Sequence, residues 1–282
     1  MESNNTIKNV IKIFVPFVIA LLIHSVVVFF DIIGIFVRNC ISNEKTVASK
    51  SIETIMSQDY TQPMNQALIS AIQFSLYILI FGIMLYKIKK PSVKEGFFNI
   101  IKPPIIIFLI IGGIAGQFMV DGGLALLRPL FKSAFDKYDE LVSSVTGVSS
   151  SWLMLLTVFL ISPIAEEILF RGLVLTYSKR VMPAVFAIIL QAFLFGLYHG
   201  NIIQGTYAFL MGLLLGFMVH KTDNLITCIV FHIALNVSIL LVPSGLLKVT
   251  SNAILTTAIS AVILTICIFF IFKKTKKQET NK

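Results

Sequence analysis

Charge is scarce in this chain. Only 13% of its 282 residues are Asp, Glu, Lys or Arg, against 56% hydrophobic. A soluble domain carries about a quarter charged residues, so a soluble fold is excluded and a multi-pass membrane protein is indicated. Cysteine is scarcer still. Cys40, Cys228 and Cys267 share no CxxC or Cys/His spacing, which removes a disulfide framework and a zinc finger. Cys228 and Cys267 lie in apolar runs and read as small hydrophobes. No strand–turn–helix context surrounds Gly112-Gly113…Gly116, so these glycines read as a place of close helix contact, not a phosphate loop. Several protease signatures are missing as well. There is no His-Glu-x-x-His zinc helix, no Gly-x-Ser-Gly nucleophile, and no aspartate pair in Tyr-Asp and Gly-x-Gly-Asp contexts.

What the chain does have is long apolar runs. Eight of them, near 12–37, 65–86, 103–127, 151–175, 182–200, 203–220, 224–242 and 253–272, are long enough for helices that cross a ~30 Å hydrocarbon core. The expected fold is an all-α, polytopic transmembrane bundle of about eight spans in a cell membrane. Residues 1–150 would supply three spans and exterior loops, 151–242 a four-span catalytic core, and 243–282 the last span with a basic tail. The division between the fifth and sixth runs is narrow, only His199-Gly200-Asn201. The first run follows a short polar head and lacks a following Ala-x-Ala-like cleavage site, so it reads as a retained anchor.

The formal charge of +9 is a statement about topology and lipid before any other partner, and no nucleic-acid partner is indicated. With the N-terminus inside, the exterior segments hold Arg38, Lys45, Lys50, Arg128, Lys132, Lys137 and Lys248, and the other sixteen of the 23 Lys and Arg fall inside. The bias favours N-in, C-in and an even number of spans. Segments 38–64 and 128–150 read as exterior loops with room for a short helix. The Lys273-Lys274-Thr-Lys276-Lys277 tail suits contact with anionic lipid or plain solvation.

Polar groups inside apolar runs need a reason to be there. His24 and Asp31, seven residues apart, share a helical face and suit a pair within the bundle. Asp121 suits a helix break or interface, and His220, beside Lys221 and Asp223, an interfacial turn. The fourth to seventh runs carry more: Glu166-Glu167-Ile-Leu-Phe-Arg171, Phe195-Gly-Leu-Tyr-His199 and His232-Ile-Ala-Leu-Asn236. Neighbours on a helix point ~100° apart, so the two glutamates cannot do one job. Glu167 and Arg171 are i,i+4 and suit a buried ion pair. Glu166 has no such partner in the sequence, and a carboxylate buried without compensation makes a better general base. Pro163 frees a carbonyl one turn away and bends the span. Glu166 with His199 could hold a water, while His232 with Asn236 could supply oxyanion donors. The same set, His199, His232 and Glu166, could instead hold Zn2+ with an open position. A salt-bridge network that merely fixes packing accounts for the glutamates alone.

This ordered set resembles the CPBP family, intramembrane proteases related to the type II CAAX prenyl endopeptidase and to bacteriocin-processing or immunity proteins. The stretch His199-Gly-Asn followed by Gly205-Thr-Tyr-Ala-Phe-Leu-Met-Gly-Leu is similar to the family's sequence after its first histidine. The resemblance covers roughly 150–242. It implies Glu166 as the base that activates water, supported by Glu167 and Arg171. It further implies His199 as orienter of the water or metal ligand, and His232 with Asn236 as oxyanion stabilisers. The substrate would be a peptide or membrane protein, the cofactor Zn2+ or none. A non-catalytic immunity factor or scaffold, and a transporter with a polar midplane path, are the alternatives. In a straight-span picture His199 falls near the exterior end of its helix, about 10 Å from the level of Glu166 and His232. The picture closes only if the fifth helix starts late or tilts.

Overall fold

The computed structural model describes residues 2–41, 63–93, 101–146, 151–241 and 252–279, and every regular element among them is helical. In chain order these are α1 (Glu2–Ile41), α2 (Pro63–Val93), α3 (Pro103–Leu127), α4 (Lys132–Thr146), α5 (Trp152–Ser178), α6 (Ala184–Tyr198), α7 (Ile202–Thr222), α8 (Leu225–Ser238) and α9 (Ala253–Glu279). Six of them (α1, α2, α3, α5, α7 and α9) are long and apolar enough to cross a membrane, and α6 and α8 are shorter apolar helices. The protein is a multi-pass membrane helix bundle. All eight expected runs are helical. The fifth and seventh are cut short, to 15 and 14 residues, about 22 Å each at 1.5 Å per residue, less than a bilayer core.

The core lies where α5 is wrapped by α2, α6, α7 and α8. Leu169, Phe170, Leu173 and Val174 of α5 are fully buried, with Phe81 of α2 and Phe231 of α8. Glycines set the closest crossings. A Cβ on Gly113 would stand 2.5 Å from the Phe231 carbonyl and 2.8 Å from the Ala234 Cβ, so α3 lies against the very turn of α8 that carries His232. Gly196 of α6 and Gly205 of α7 cross in the same way, each Cβ position 2.7 Å from the other's carbonyl. Gln191 of α6 also donates to the Gly212 carbonyl of α7 at 2.8 Å. The glycine cluster therefore serves helix contact, as expected.

Segment 128–150 was expected as a loop with at most a short helix. Its residues Lys132–Thr146 form the 15-residue helix α4. Apolar Phe135, Tyr138 and Val142 recur at helical spacing among charged residues, and α4 lays them on Ile203, Tyr207 and Leu124. That i, i+3, i+7 pattern marks an amphipathic surface helix. Most of the expected 38–64 loop lies outside the described residues.

Candidate active site

α5 is not a regular helix, and its irregularities fall around the glutamates. Thr157–Ile161 and Ile168–Val174 are π-helical turns that flank the α-helical turn Ser162–Glu167. Ser162 N–H bonds the Thr157 carbonyl, five residues back. The next nitrogen in that register belongs to Pro163, which has no hydrogen to give to Val158. Asn236 of α8 fills the vacancy, its Nδ2 donating to the Val158 carbonyl at 3.3 Å. The free carbonyl expected from Pro163 thus exists, and one of the expected site residues covers it. Insertions of this kind recur at functional sites because they re-aim the following side chains.

The two glutamates separate as their spacing requires. Glu167 and Arg171 are wholly buried and paired at 2.9 Å. The same Glu167 Oε1 accepts from His232 Nδ1–H at 2.8 Å, while the Arg171 guanidinium lies 4.3 Å over the Phe195 ring. Such a stacked, desolvated cation gains about 2 kcal/mol from the ring, which helps hold a charge with no water around it. Glu166 points elsewhere. It accepts from the Ser162 hydroxyl at 2.5 Å and stands 3.8 Å from His232 Nε2. The expectation that Glu166 lacks a local partner is corrected: Ser162 sits i−4 on the same face, where a short hydroxyl reaches the carboxylate.

Both histidines have their tautomers set by their neighbours. His199 Nδ1 meets the Phe195 carbonyl at 2.8 Å, and a carbonyl only accepts, so Nδ1 carries the hydrogen and Nε2 is left for chemistry. His232 Nδ1 is held by Glu167 in the same sense. This is the arrangement in which an imidazole is oriented for catalysis or for metal. The Phe195 ring packs edge-on against both, with centroids 4.7 Å from His199 and 6.0 Å from His232. Phe195 thus touches Arg171, His199 and His232 together. Its i,i+4 spacing to His199 was the only trace of this in the sequence.

Glu166, His199, His232 and Asn236 line one cavity of about 570 Å³. The concern over the depth of His199 is met by the short α6, which starts only after Pro183 and ends at His199. Gly200 then turns the chain with φ +66°, and Asn201 caps α7 by accepting from Ile203 and Gln204 N–H. That left-handed conformation suits glycine, and it stops α6 at the cavity. Glu167 and Arg171 lie behind the wall, and His220 lies in the last turn of α7, outside the cavity. Three further polar side chains line it that the spacing did not reveal: Ser162, Gln73 and Gln204. Tyr198 and Tyr207 stand beside them. Leu141 and Val145 of α4 close one side.

His24 is also on the wall, and its partner is Gln73 of α2, not Asp31. Seven residues along a helix span about 10 Å, beyond the reach of a direct bond, whereas α2 lies alongside. Asp121 accepts from Gln117 one turn earlier, away from the cavity. Among the described residues no three His, Cys, Asp or Glu side chains come close enough together to hold a metal ion. His199, His232 and Glu166 share the cavity without forming such a set.

No curated protein and no solved structure matches this chain. Residues 148–238 match the family model described as type II CAAX prenyl endopeptidase Rce1-like. The match spans Ser162, both glutamates, both histidines and Asn236, and so every residue that the cavity shares with the motifs of α5, α6 and α8. The segment that builds the cavity's chemical wall is thus similar to the Rce1-like type II CAAX prenyl endopeptidases.

Proposed function

We propose that this protein is an intramembrane endopeptidase that cleaves a peptide bond of a membrane-associated or peptide substrate with a water activated by Glu166. The observation that carries the reading is the division of the glutamate pair. Glu167 is committed to Arg171 and His232, and Glu166 faces the cavity at 3.8 Å from His232 Nε2. A water in that gap can hydrogen-bond to both groups at about 2.8 Å. Glu166 takes a proton from the water as its oxygen adds to the scissile carbonyl carbon. The remaining amide hydrogen of Asn236 faces the developing oxyanion, which such a donor stabilises, while His232, whose hydrogen is given to Glu167 through Nδ1, accepts the water's second hydrogen at Nε2. The C–N bond then breaks, the amine leaves with the proton held by Glu166, and the carboxylic acid that remains gives up its proton to Glu166 or to the amine, ending as a carboxylate. His199, fixed through Nδ1, orients the water or the substrate.

The family's name points to prenylated C-terminal peptides, and the apolar wall of Leu21, Phe74, Met211 and Leu215 suits either a lipidated or a plain hydrophobic peptide. Purified protein incubated with a peptide library, with and without prenyl groups, tests the reading, with Glu166→Gln as control. Cleavage by the wild-type chain that disappears in Glu166→Gln is the expected result. Equal cleavage by both proteins would overturn Glu166 as the base, and cleavage by neither would overturn the endopeptidase reading in favour of a non-catalytic scaffold or immunity factor.

A further inference from the structure

The cavity has a second polar wall, built entirely by residues outside 148–238 except for one tyrosine. Tyr77 of α2 is fully buried and donates its hydroxyl hydrogen to the Ala20 carbonyl of α1 at 2.7 Å. Its oxygen is then left to accept, and Gln73 Nε2 donates to it at 3.1 Å and to the Tyr198 hydroxyl at 3.4 Å. These two bonds fix which way the Gln73 amide points. Its Oε1 therefore faces His24, 2.9 Å from Nδ1. Because an amide oxygen only accepts, His24 carries its hydrogen on Nδ1 and keeps Nε2 as an acceptor. Gln73 is itself buried, 7% exposed, whereas His24 is open and lines the cavity with Glu166, His199 and His232.

A histidine in the middle of an apolar helix is costly unless it is paired or used. Pairing α1 to α2 accounts for the His24–Gln73 bond. It does not account for four polar side chains in series that end at the cavity next to His199, since Tyr198 is its neighbour in the chain. We propose that His24, held by Gln73, is a substrate-positioning residue whose Nε2 accepts a hydrogen from the backbone N–H of the bound peptide across the cavity from Glu166. An extended peptide presents such N–H groups on each side of the scissile bond, and inside an apolar cavity each needs an acceptor. The proposal rests on the endopeptidase reading for the identity of the ligand, and not for the array itself.

The test uses the full chain in detergent and a quenched fluorogenic peptide chosen from the library above. His24→Ala is expected to raise KM about fivefold, the worth of one neutral hydrogen bond, with kcat little changed. His24→Gln, which returns an acceptor near the position of Nε2, is expected to restore most of the loss. Peptide binding is also measured in a Glu166→Gln background by fluorescence anisotropy, where no cleavage is needed. There His24→Ala is expected to weaken affinity by the same factor. Unchanged KM and affinity together with a lowered melting temperature would overturn the proposal and leave His24 as an inter-helix pin. Failure of the wild-type chain to cleave, with affinity still dependent on His24, would instead count against the endopeptidase reading alone.

Discussion

His232 places its Nδ1 2.8 Å from Glu167 Oε1 and its Nε2 3.8 Å from Glu166 Oε2, so one imidazole joins both carboxylates of an adjacent pair. The pair can therefore be divided by mutation. Glu166→Gln removes only a base and is expected to lower cleavage by about 10²–10⁴-fold with insertion and melting temperature retained. Glu167→Leu leaves Arg171 buried and unpaired, at a cost of about 3–5 kcal/mol. The double variant Glu167→Leu with Arg171→Met is expected to recover much of that stability and none of the activity. A double-mutant cycle on melting temperature and rate reads both outcomes.

Gly113 offers a check on the site's support that touches no catalytic group. Its added methyl would meet the Phe231 carbonyl at 2.5 Å, whereas Gly123, on the same helix, has nothing within 4 Å. Gly113→Ala is expected to push α3 from α8, shift His232, and cost about 1–3 kcal/mol through overpacking. Gly123→Ala is expected to leave cleavage unchanged and to raise stability by up to about 1 kcal/mol. Thermal melting and steady-state rates of the two variants decide it.

Much of this was legible in the sequence because helical spacing fixes neighbours along one helix. Glu167 with Arg171 and Phe195 with His199 are both i,i+4, and both meet as the period demands. Pro163 marked the defect that Asn236 fills. What spacing cannot supply is contact between helices. The bond from Glu167 to His232 crosses 65 residues, and that from Gln73 to Tyr198 crosses 125, so neither left a local signal. The pairing of His24 with Asp31 failed for the same reason, since a shared face does not bring residues two turns apart into contact. Helix α4 was hidden by its mixed charge, which resembles a loop until its apolar residues are set on a wheel.

α4 covers the cavity through packing more than through charge. Arg128 and Asp139 make a two-point bridge at 2.6 and 2.9 Å, but both side chains are about half exposed. Arg128 holds the Asp139 carboxyl below its usual value. That contribution is present above the unfolded carboxylate's pKa of about 3.9 and is lost as pH falls through the lower folded value. For an exposed pair it is worth at most about 1 kcal/mol. Asp139→Asn is expected to leave hydrogen exchange of 132–146 nearly unchanged at neutral pH. Phe135→Ala, which empties a buried position against α7, is expected to speed it markedly.

Metal dependence is decided by removal. In the proposed reaction Glu166 activates the water without an ion, so a cleavage rate within about twofold of the starting value is expected after dialysis against 1,10-phenanthroline; a catalytic zinc would itself supply the nucleophile, and its removal would abolish cleavage. A rate lost to the chelator and restored by Zn2+ would show instead that His199, His232 and Glu166 draw together around an ion.

The side from which substrate enters follows from where the basic residues lie. The turns at one end of the bundle carry Lys179, Arg180 and Lys221, and α9 ends there with Lys273 and Lys274. The cavity lies toward the other end, at the α6–α7 turn around Gly200 and beneath α4. With the basic end inside, a peptide substrate is expected to reach the site from the exterior face. In a chain with Cys40, Cys228 and Cys267 replaced by alanine, a membrane-impermeant maleimide added to intact cells is expected to label Ser143→Cys, exposed on α4. Lys221→Cys, exposed at the opposite end, is expected to react only after the membrane is opened. The reverse pattern would place the cavity on the interior side and make an interior peptide the substrate, with the Glu166 chemistry unaffected.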